Sequence, residues 1–227
     1  GVRPPSVAGD AGNRAAGVDG GPIMRSEVMI LNELEPIPDT SLPLEPFRAH
    51  LRLGTGFGTE TLQDTVLHGF LLAAIAAIEA RVSKALLRRD FEAVFSDWRD
   101  PEVQVLPIAP VTQIHGVVME DAGGATETVA TTRYRFEPDF HSPRLRATGL
   151  ELPRIPRGGL ARVTFRAGMA DDWSGLPGDM AQAVLLLAAH YYENRSDTRL
   201  NDGCTPFGVT SLLQRYRPMR LSVGSGR

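Results

Sequence analysis

Cysteine is almost missing from this chain. Cys204 is the single one, so an internal disulfide and the usual thiolate metal clusters are excluded, and the scarcity points to a reducing compartment. Histidine is sparse too: His50, His68, His115, His141 and His190 are scattered without the spacing that gathers ligands on one ion. No serine sits in a G-x-S-x-G elbow, and Cys204 has no histidine near it in sequence to activate it. The first residues lack a cationic start followed by an apolar core, so no secretory leader is expected, and no segment is read as spanning a membrane. Nor is there a basic excess: the formal net charge of -3 argues against a protein whose main task is to coat nucleic acid. Internal repeats are absent as well. What remains is an ordinary globular composition, with 42% hydrophobic residues to build a core.

The strongest local signal is residues 177–195, PGDMAQAVLLLAAHYYENR. Gly178 and Asp179 stand where a helix cap belongs, and residues 183–189 contain no polar side chain, so a helix over residues 178–195 must be covered on most sides. A longer helix is expected over residues 59–87, where Leu62, Val66, Phe70, Ala74, Ile78, Val82 and Leu86 recur every fourth position. Short helices are expected over residues 45–53, with Pro46 in the first turn, and over residues 209–216, stopped by Pro218. Residues 30–46 hold Leu31, Leu34, Ile37, Leu42 and Leu44 among four prolines and read as an extended strap.

Between the two long helices the period changes to two. Phe91, Ala93 and Phe95 alternate with polar neighbours, Val103 and Val105 continue the pattern, and residues 111–119 are rich in β-branched side chains. The DAGGA stretch at residues 121–125 reads as a hairpin turn into a strand over residues 128–136, and another strand is expected over residues 160–166. The fold class is therefore α+β: a helical bundle core with a β-rich insertion over residues 91–166. Its organisation reads as a flexible tail (residues 1–28, with Met24 or Met29 as natural beginnings), helical core (29–90), β-rich insertion (91–176), helical core again (177–204) and a C-terminal docking arm (205–227).

Candidate chemistry is thin. Gly54, Gly56 and Gly58 precede a helix but lack the Lys-Ser/Thr of a phosphate loop and do not follow a strand. His190 and Glu193 are three apart in the reverse of the paired Glu-x-x-His metal pattern, and Asp171 and Asp172 lie in a surface-loop context. No catalytic set, metal site or cofactor motif emerges.

Charge, by contrast, is patterned. Residues 91–132 are acidic, with Glu120 and Asp121 prominent, whereas residues 133–166 carry Arg133, Arg135, Arg144, Arg146 and four further arginines. Arg133 with Arg135, and Arg144 with Arg146, are spaced to share one strand face, so a basic and an acidic face can meet between neighbouring subunits of a head-to-tail ring. Tyr191 and Tyr192, at the polar end of the second long helix, join that inter-subunit set. Residues 203–227 hold no acid but carry Arg215, Arg217, Arg220 and Arg227 beside Phe207, Leu212, Leu213, Tyr216, Met219 and Leu221, which reads as an amphipathic docking arm.

Several blocks in order carry a resemblance: FRAHLRLGTGFGTETLQDTVLHGFLLAAIAAIEARVSKALL, LPIAPVTQIHGVVMEDAGG, VTFRAGM, LPGDMAQAVLLLAAHYYENR and PFGVTSLLQRYRPMRL. Over residues 29–221 the chain resembles the head-tail connector (adaptor) proteins of long-tailed phages, most of all the version encoded in alphaproteobacterial gene transfer agents. The resemblance implies a structural protein without enzymatic activity or cofactor. It implies a ring, usually dodecameric, of copies between portal protein and stopper or tail protein, through which double-stranded DNA passes without being read. It implies assembly in the bacterial cytoplasm, residence at the head-tail junction of the released particle, and a C-terminal arm, residues 207–221, set against the portal. Two other readings stand beside it: another ring component such as a stopper or tail-end protein, and a small enzyme or ligand-binding domain with a pocket near His190 or Asp171.

Overall fold

The computed structural model describes residues 29–52, 60–195 and 205–217. The described residues form a mixed α+β fold in chain order β1 (Met29–Glu33), α1 (Leu44–His50), α2 (Glu60–Val82), β2 (Arg89–Phe95), β3 (Val103–Val105), β4 (Val111–Glu120), β5 (Thr126–Thr128), β6 (Tyr134–Glu137), β7 (Arg144–Ala147), β8 (Leu160–Ala167), α3 (Gly178–Glu193) and α4 (Phe207–Leu213). Two antiparallel sheets are present: β1-β2-β8-β4-β5, and β3-β7-β6.

The helices share one core. Leu67, Leu71, Ala74, Ile75, Ile78 and Val82 form the buried side of α2 and meet Met180, Ala183, Val184 and Leu187 of α3, with Phe47 of α1 and Val209 and Leu213 of α4 closing the cluster. Gln63–Val82 is long and apolar enough, by length and composition, to cross a membrane, with a mean hydropathy of 1.6. Its apolarity has a local cause, because one side of the helix builds this core.

The two sheets share a second core of Phe91, Phe95, Val117, Val163, Phe165, Tyr134 and Leu145. In β8 the alternation is strict, with Ala161, Val163, Phe165 and Ala167 buried and the intervening residues turned outward. Phe91 and Phe165 are register partners and stack with centroids 6.0 Å apart.

Three boundaries differ from the sequence expectation. The long helix stops at Val82 rather than near residue 87, because Ser83 takes a positive φ of 53° and the chain turns into the sheets, with bridges pairing Lys84 with Ala109 and Leu87 with Ala170. Ala85, Leu86 and Leu87 continue the apolar stripe yet are buried by the sheet junction instead. The strap opens with β1, which pairs with β2 from Met29 opposite Phe95 to Glu33 opposite Phe91, so the large sheet draws its edge from before the helices. The strand expected over residues 128–136 is two short ones: after β5 the chain crosses through a 3-10 turn (Thr131–Arg133) and enters the smaller sheet as β6. Both ends of that crossing are fixed by burial of Val129 and Tyr134. The DAGGA hairpin is present: the Asp121 carboxylate accepts from the Gly123 and Ala125 amides at 2.8 and 2.9 Å, and Gly124 supplies a φ of 84°.

A buried ion cluster pins the helices to the large sheet. Arg89 in β2 donates to both Glu79 oxygens at 3.0 and 2.7 Å, to Glu33 of β1 at 2.5 Å and to the Leu87 carbonyl at 2.9 Å, while Glu79 accepts the Leu86 amide at 2.7 Å. Burial alone would lower the Arg89 pKa, but the hydrogen bonds and charges of Glu79 and Glu33 outweigh it and the net direction is upward. Removing one member leaves a buried charge without its partner. We therefore expect Arg89→Met to lower stability by about 3 kcal/mol or more, and Arg89→Met combined with Glu79→Leu to recover part of that loss, both read by urea denaturation.

Candidate docking surfaces

The smaller sheet presents an arginine-rich outer face. Arg135 on β6 lies opposite Arg146 on β7, and Glu137 lies opposite Arg144, so the alternation puts all four side chains on the side away from buried Tyr134 and Leu145. Glu137 sits among them. Its Oε1 accepts from Arg146 Nε and from Arg135 Nη2, each at 2.8 Å, and the Arg146 hydrogen bond leads in holding this carboxyl below its ordinary pKa. Arg133 lies in the preceding 3-10 turn, and Arg133 and Arg144 are exposed. The face therefore holds a self-neutralising centre, Arg135–Glu137–Arg146, flanked by two outward arginines.

The acidic residues proposed to meet it lie on the other sheet and are engaged within the chain. Glu120 accepts from Arg162 Nε at 2.8 Å, Arg162 also pairs with Glu92 at 3.2 Å, and Asp121 holds its own hairpin. Tyr191 is half-buried beside His190, and Tyr192 packs edge-on against Phe70 with Arg195 over its ring. The structure thus groups the four arginines near one another and keeps Glu120, Asp121 and the two tyrosines apart from them in the chain's own contacts.

The C-terminal segment divides in two. Val209, Leu213 and Tyr216 are buried against the chain's own helices, and Leu212 is half-buried, whereas Phe207 is 88% exposed and Arg215 and Arg217 face outward. The Tyr216 hydroxyl donates to Asp179 Oδ1 at 2.7 Å, and Arg215 pairs with Asp179 Oδ2 at 2.8 Å, so the first-turn carboxylate of α3 fixes the end of α4. Leu213 and Tyr216, expected in a docking arm over residues 207–221, are buried in the chain's own helical core. Met219, Arg220 and Leu221 lie outside the described residues.

A neighbouring feature was missed in the sequence. Lys84 is the only lysine of the chain, and it is buried to 1% exposure just past α2. It donates to the Phe140 carbonyl at 2.6 Å with Nζ 4.6 Å from the Phe140 ring centroid, and Phe140 in turn approaches Tyr216 at 6.4 Å between centroids. Asp139, whose carboxylate accepts the His141 and Ser142 amides at 2.7 Å each, shapes that loop. The signal was a lone lysine in a chain that otherwise uses arginine.

No arrangement for catalysis gathers among the described residues. Among the described residues no group of three His, Cys, Asp or Glu side chains is placed to hold a metal. His190 Nδ1 meets the Asn194 amide at 3.1 Å, and Asp171 is ion-paired with Arg88.

Comparison with known proteins decides the family. A chain from a structure of the neck of an empty gene transfer agent particle, computed with C6 symmetry, is 46% identical, with a TM-score of 0.77, covering 87% of this chain and 100% of that one. The chain belongs to the family of gene transfer agent head-tail connectors. A second chain, from the virion of a native gene transfer agent particle, is 46% identical over 86% of this chain and 98% of its own, with a TM-score of 0.74. A third, from the neck of a native particle computed with C12 symmetry, is 43% identical over 87% and 100%, with a TM-score of 0.73. No family model matches, and no curated protein does. Two of the matched chains come from particle necks and one from a virion, and this chain is likewise a structural protein rather than an enzyme.

Burial of Lys84 gives a direct check. Desolvation lowers its pKa from the ordinary 10.5, with Asp139 opposing, so the unfolded chain holds that proton more tightly and this group adds stability above the ordinary value that is lost as pH falls through the folded one. An amine-reactive label should leave Lys84 unmodified in the native protein and modify it in denaturant, read by peptide mass spectrometry.

Proposed function

We propose that this chain is the head-tail adaptor of a gene transfer agent particle: a ring of copies that joins the portal to the stopper and tail and lets double-stranded DNA pass without reading its sequence. The observation that carries the proposal is the 43–46% identity to chains of particle necks, matched along their whole length, in structures computed with C6 and C12 symmetry. On this reading twelve copies close the ring, assembly takes place in the bacterial cytoplasm, and the released particle carries the ring at its head-tail junction. The helical core forms the ring body. Charge relief and burial of apolar surface between copies supply the association energy.

Two surfaces have assigned roles. The outward arginines of the smaller sheet, Arg133 and Arg144, with Arg135 and Arg146 held behind them by Glu137, face an acidic surface of the adjoining copy that includes Glu120 and Asp121. Tyr191 and Tyr192 border the same contact. The C-terminal arm begins at Arg217 and uses Arg217, Met219, Arg220 and Leu221 against the portal; Leu212, Leu213, Arg215 and Tyr216 anchor its root on α3.

The test mixes purified portal rings with the full-length chain, with a chain ending at Arg217, and with an Arg133→Glu/Arg144→Glu variant. The last two leave the described core intact, and because Arg144 is the register partner of Glu137, the single variant Arg133→Glu is run beside the double one to spare that pair. The shortened chain should remain folded by circular dichroism and lose co-sedimentation with the portal, and the charge-reversed chain should bind the portal yet form incomplete rings. Equal binding by the shortened chain would remove the arm from the account, and complete rings from the charge-reversed chain would remove the arginine face.

A further inference from the structure

The loop after β7 carries the most exposed large apolar side chain among the described residues, Leu150, at 92% exposure. Its flanks hold it out. The Ala147 amide donates to the Glu102 carbonyl at 2.9 Å and the Leu152 amide to the Pro101 carbonyl at 2.7 Å, and Ala147 and Leu152 are buried, so residues 148–151 bulge from a fixed base. Acids surround this knob. Glu151 follows it, residues 100–102 run along its base with Asp100 and Glu102 exposed, and none of the three carboxylates is ion-paired among the described residues.

A pocket of complementary character lies at the other end of the smaller sheet. The β6–β7 ladder runs from Tyr134 opposite Ala147, the knob's end, to Glu137 opposite Arg144, where the connecting loop carries Phe140. There Phe140, Met169, Pro177 and Tyr216 line an open cleft of about 580 Å³, with Arg88 and Arg215 beside them. Phe140 is 44% exposed, an aromatic surface that its own chain leaves uncovered. Arg88 pairs with Asp171 through Nη1, and its buried Nε–H finds no acceptor among the described residues. Arg215 pairs with Asp179, yet its side chain is 67% exposed, and it shares the adjoining cleft with Arg144, so the cationic character continues onto the arginine face of the smaller sheet. Knob and pocket share no residue and lie at opposite ends of one ladder. A contact between them joins unlike patches on two copies, the head-to-tail geometry from which rings are built.

We infer that Leu150 of one copy seats in the Phe140–Met169–Tyr216 pocket of the next, with Glu151 turned to Arg88 and Arg215. The occupant is a second copy of this chain because the two patches match in charge: unpaired carboxylates stand around the apolar knob, and arginines with donors to spare stand beside the apolar pocket. The inference rests on the ring reading above and adds a contact that closes the ring. Leu150 supplies the apolar anchor and Glu151 sets its orientation. The pocket borders the anchored root of the C-terminal segment and uses none of the residues set against the portal.

The test cross-links two differently marked full-length chains. In a Cys204→Ser background, one protein carries Leu150→Cys and the other Thr112→Cys, an exposed position on the pocket's lining; the two are mixed in equal amounts on portal rings and treated with a short bis-maleimide. Mixed dimers of the two species are expected, absent when either cysteine is omitted, because each chain supplies one half of the contact. Complete rings without mixed dimers would overturn this assignment and leave the ring reading standing. Wild-type chain that never forms rings on the portal would overturn the ring reading, and this inference with it. As an independent measure, Leu150→Asp, checked for folding by circular dichroism, should still bind the portal but reduce ring completion about tenfold or more, while Leu150→Met should complete rings as the wild type does. Complete rings from Leu150→Asp would overturn the inference, and so would loss of all portal binding by that variant, which would make the portal the partner of the knob.

Discussion

The fold depends on Arg89. It is the point at which the helical core and the sheet core meet: its guanidinium reaches Glu79 near the end of α2, Glu33 at the end of β1 and the Leu87 carbonyl in the connecting turn. A bidentate arginine–carboxylate pair of this kind holds direction as well as distance, which a hydrophobic contact at the same place would not. The turn after Val82 is held by the same cluster through the Leu86 amide on Glu79. Gly168 completes the junction: a Cβ there would come 2.3 Å from the Arg88 Cα, so β8 can pass the turn only as glycine. The junction fixes where β1 lies relative to α2.

Much of this was legible in the sequence, and the parts that were not share a cause. The α3 and α2 helices declared themselves because their apolar positions recur at helical spacing over many turns, and β8 and β2 because theirs alternate. The end of α2 was hidden because Ala85, Leu86 and Leu87 are apolar for a different reason, burial at the sheet junction, and composition does not distinguish the two. β1 was hidden because all five of its residues are exposed, so it has no alternation and is a strand only through its ladder to β2. The arginine face could be placed on one strand side from spacing alone, but its neutralising partner Glu137 depends on the cross-strand register of β6 and β7. In the same way Tyr216 looked like part of a free arm, and only the position of Asp179 at the start of α3 makes it a core residue.

What the molecule spends its polar groups on separates its roles. The buried and half-buried charges, Arg89 with Glu79 and Arg162 with Glu92 and Glu120, are satisfied internally and specify the fold. Among the described residues no comparable cluster converges on a cleft as a reacting group would require. Large apolar side chains, by contrast, are left outside at Leu31, Leu72, Phe140, Leu150 and Phe207, beside charges arranged by sign. That division suits a protein whose work is to be covered by other proteins, and it agrees with membership of a family found in particle necks.

The central claim is that this chain acts by closing a symmetric collar on a packaging vertex. Electron microscopy of the full-length chain mixed with portal rings tests it most directly. The account predicts an added layer of density with twelve-fold rotational symmetry below the portal, each unit matching the two-core fold described above. Portal rings that remain bare beside folded, monodisperse chain would contradict it.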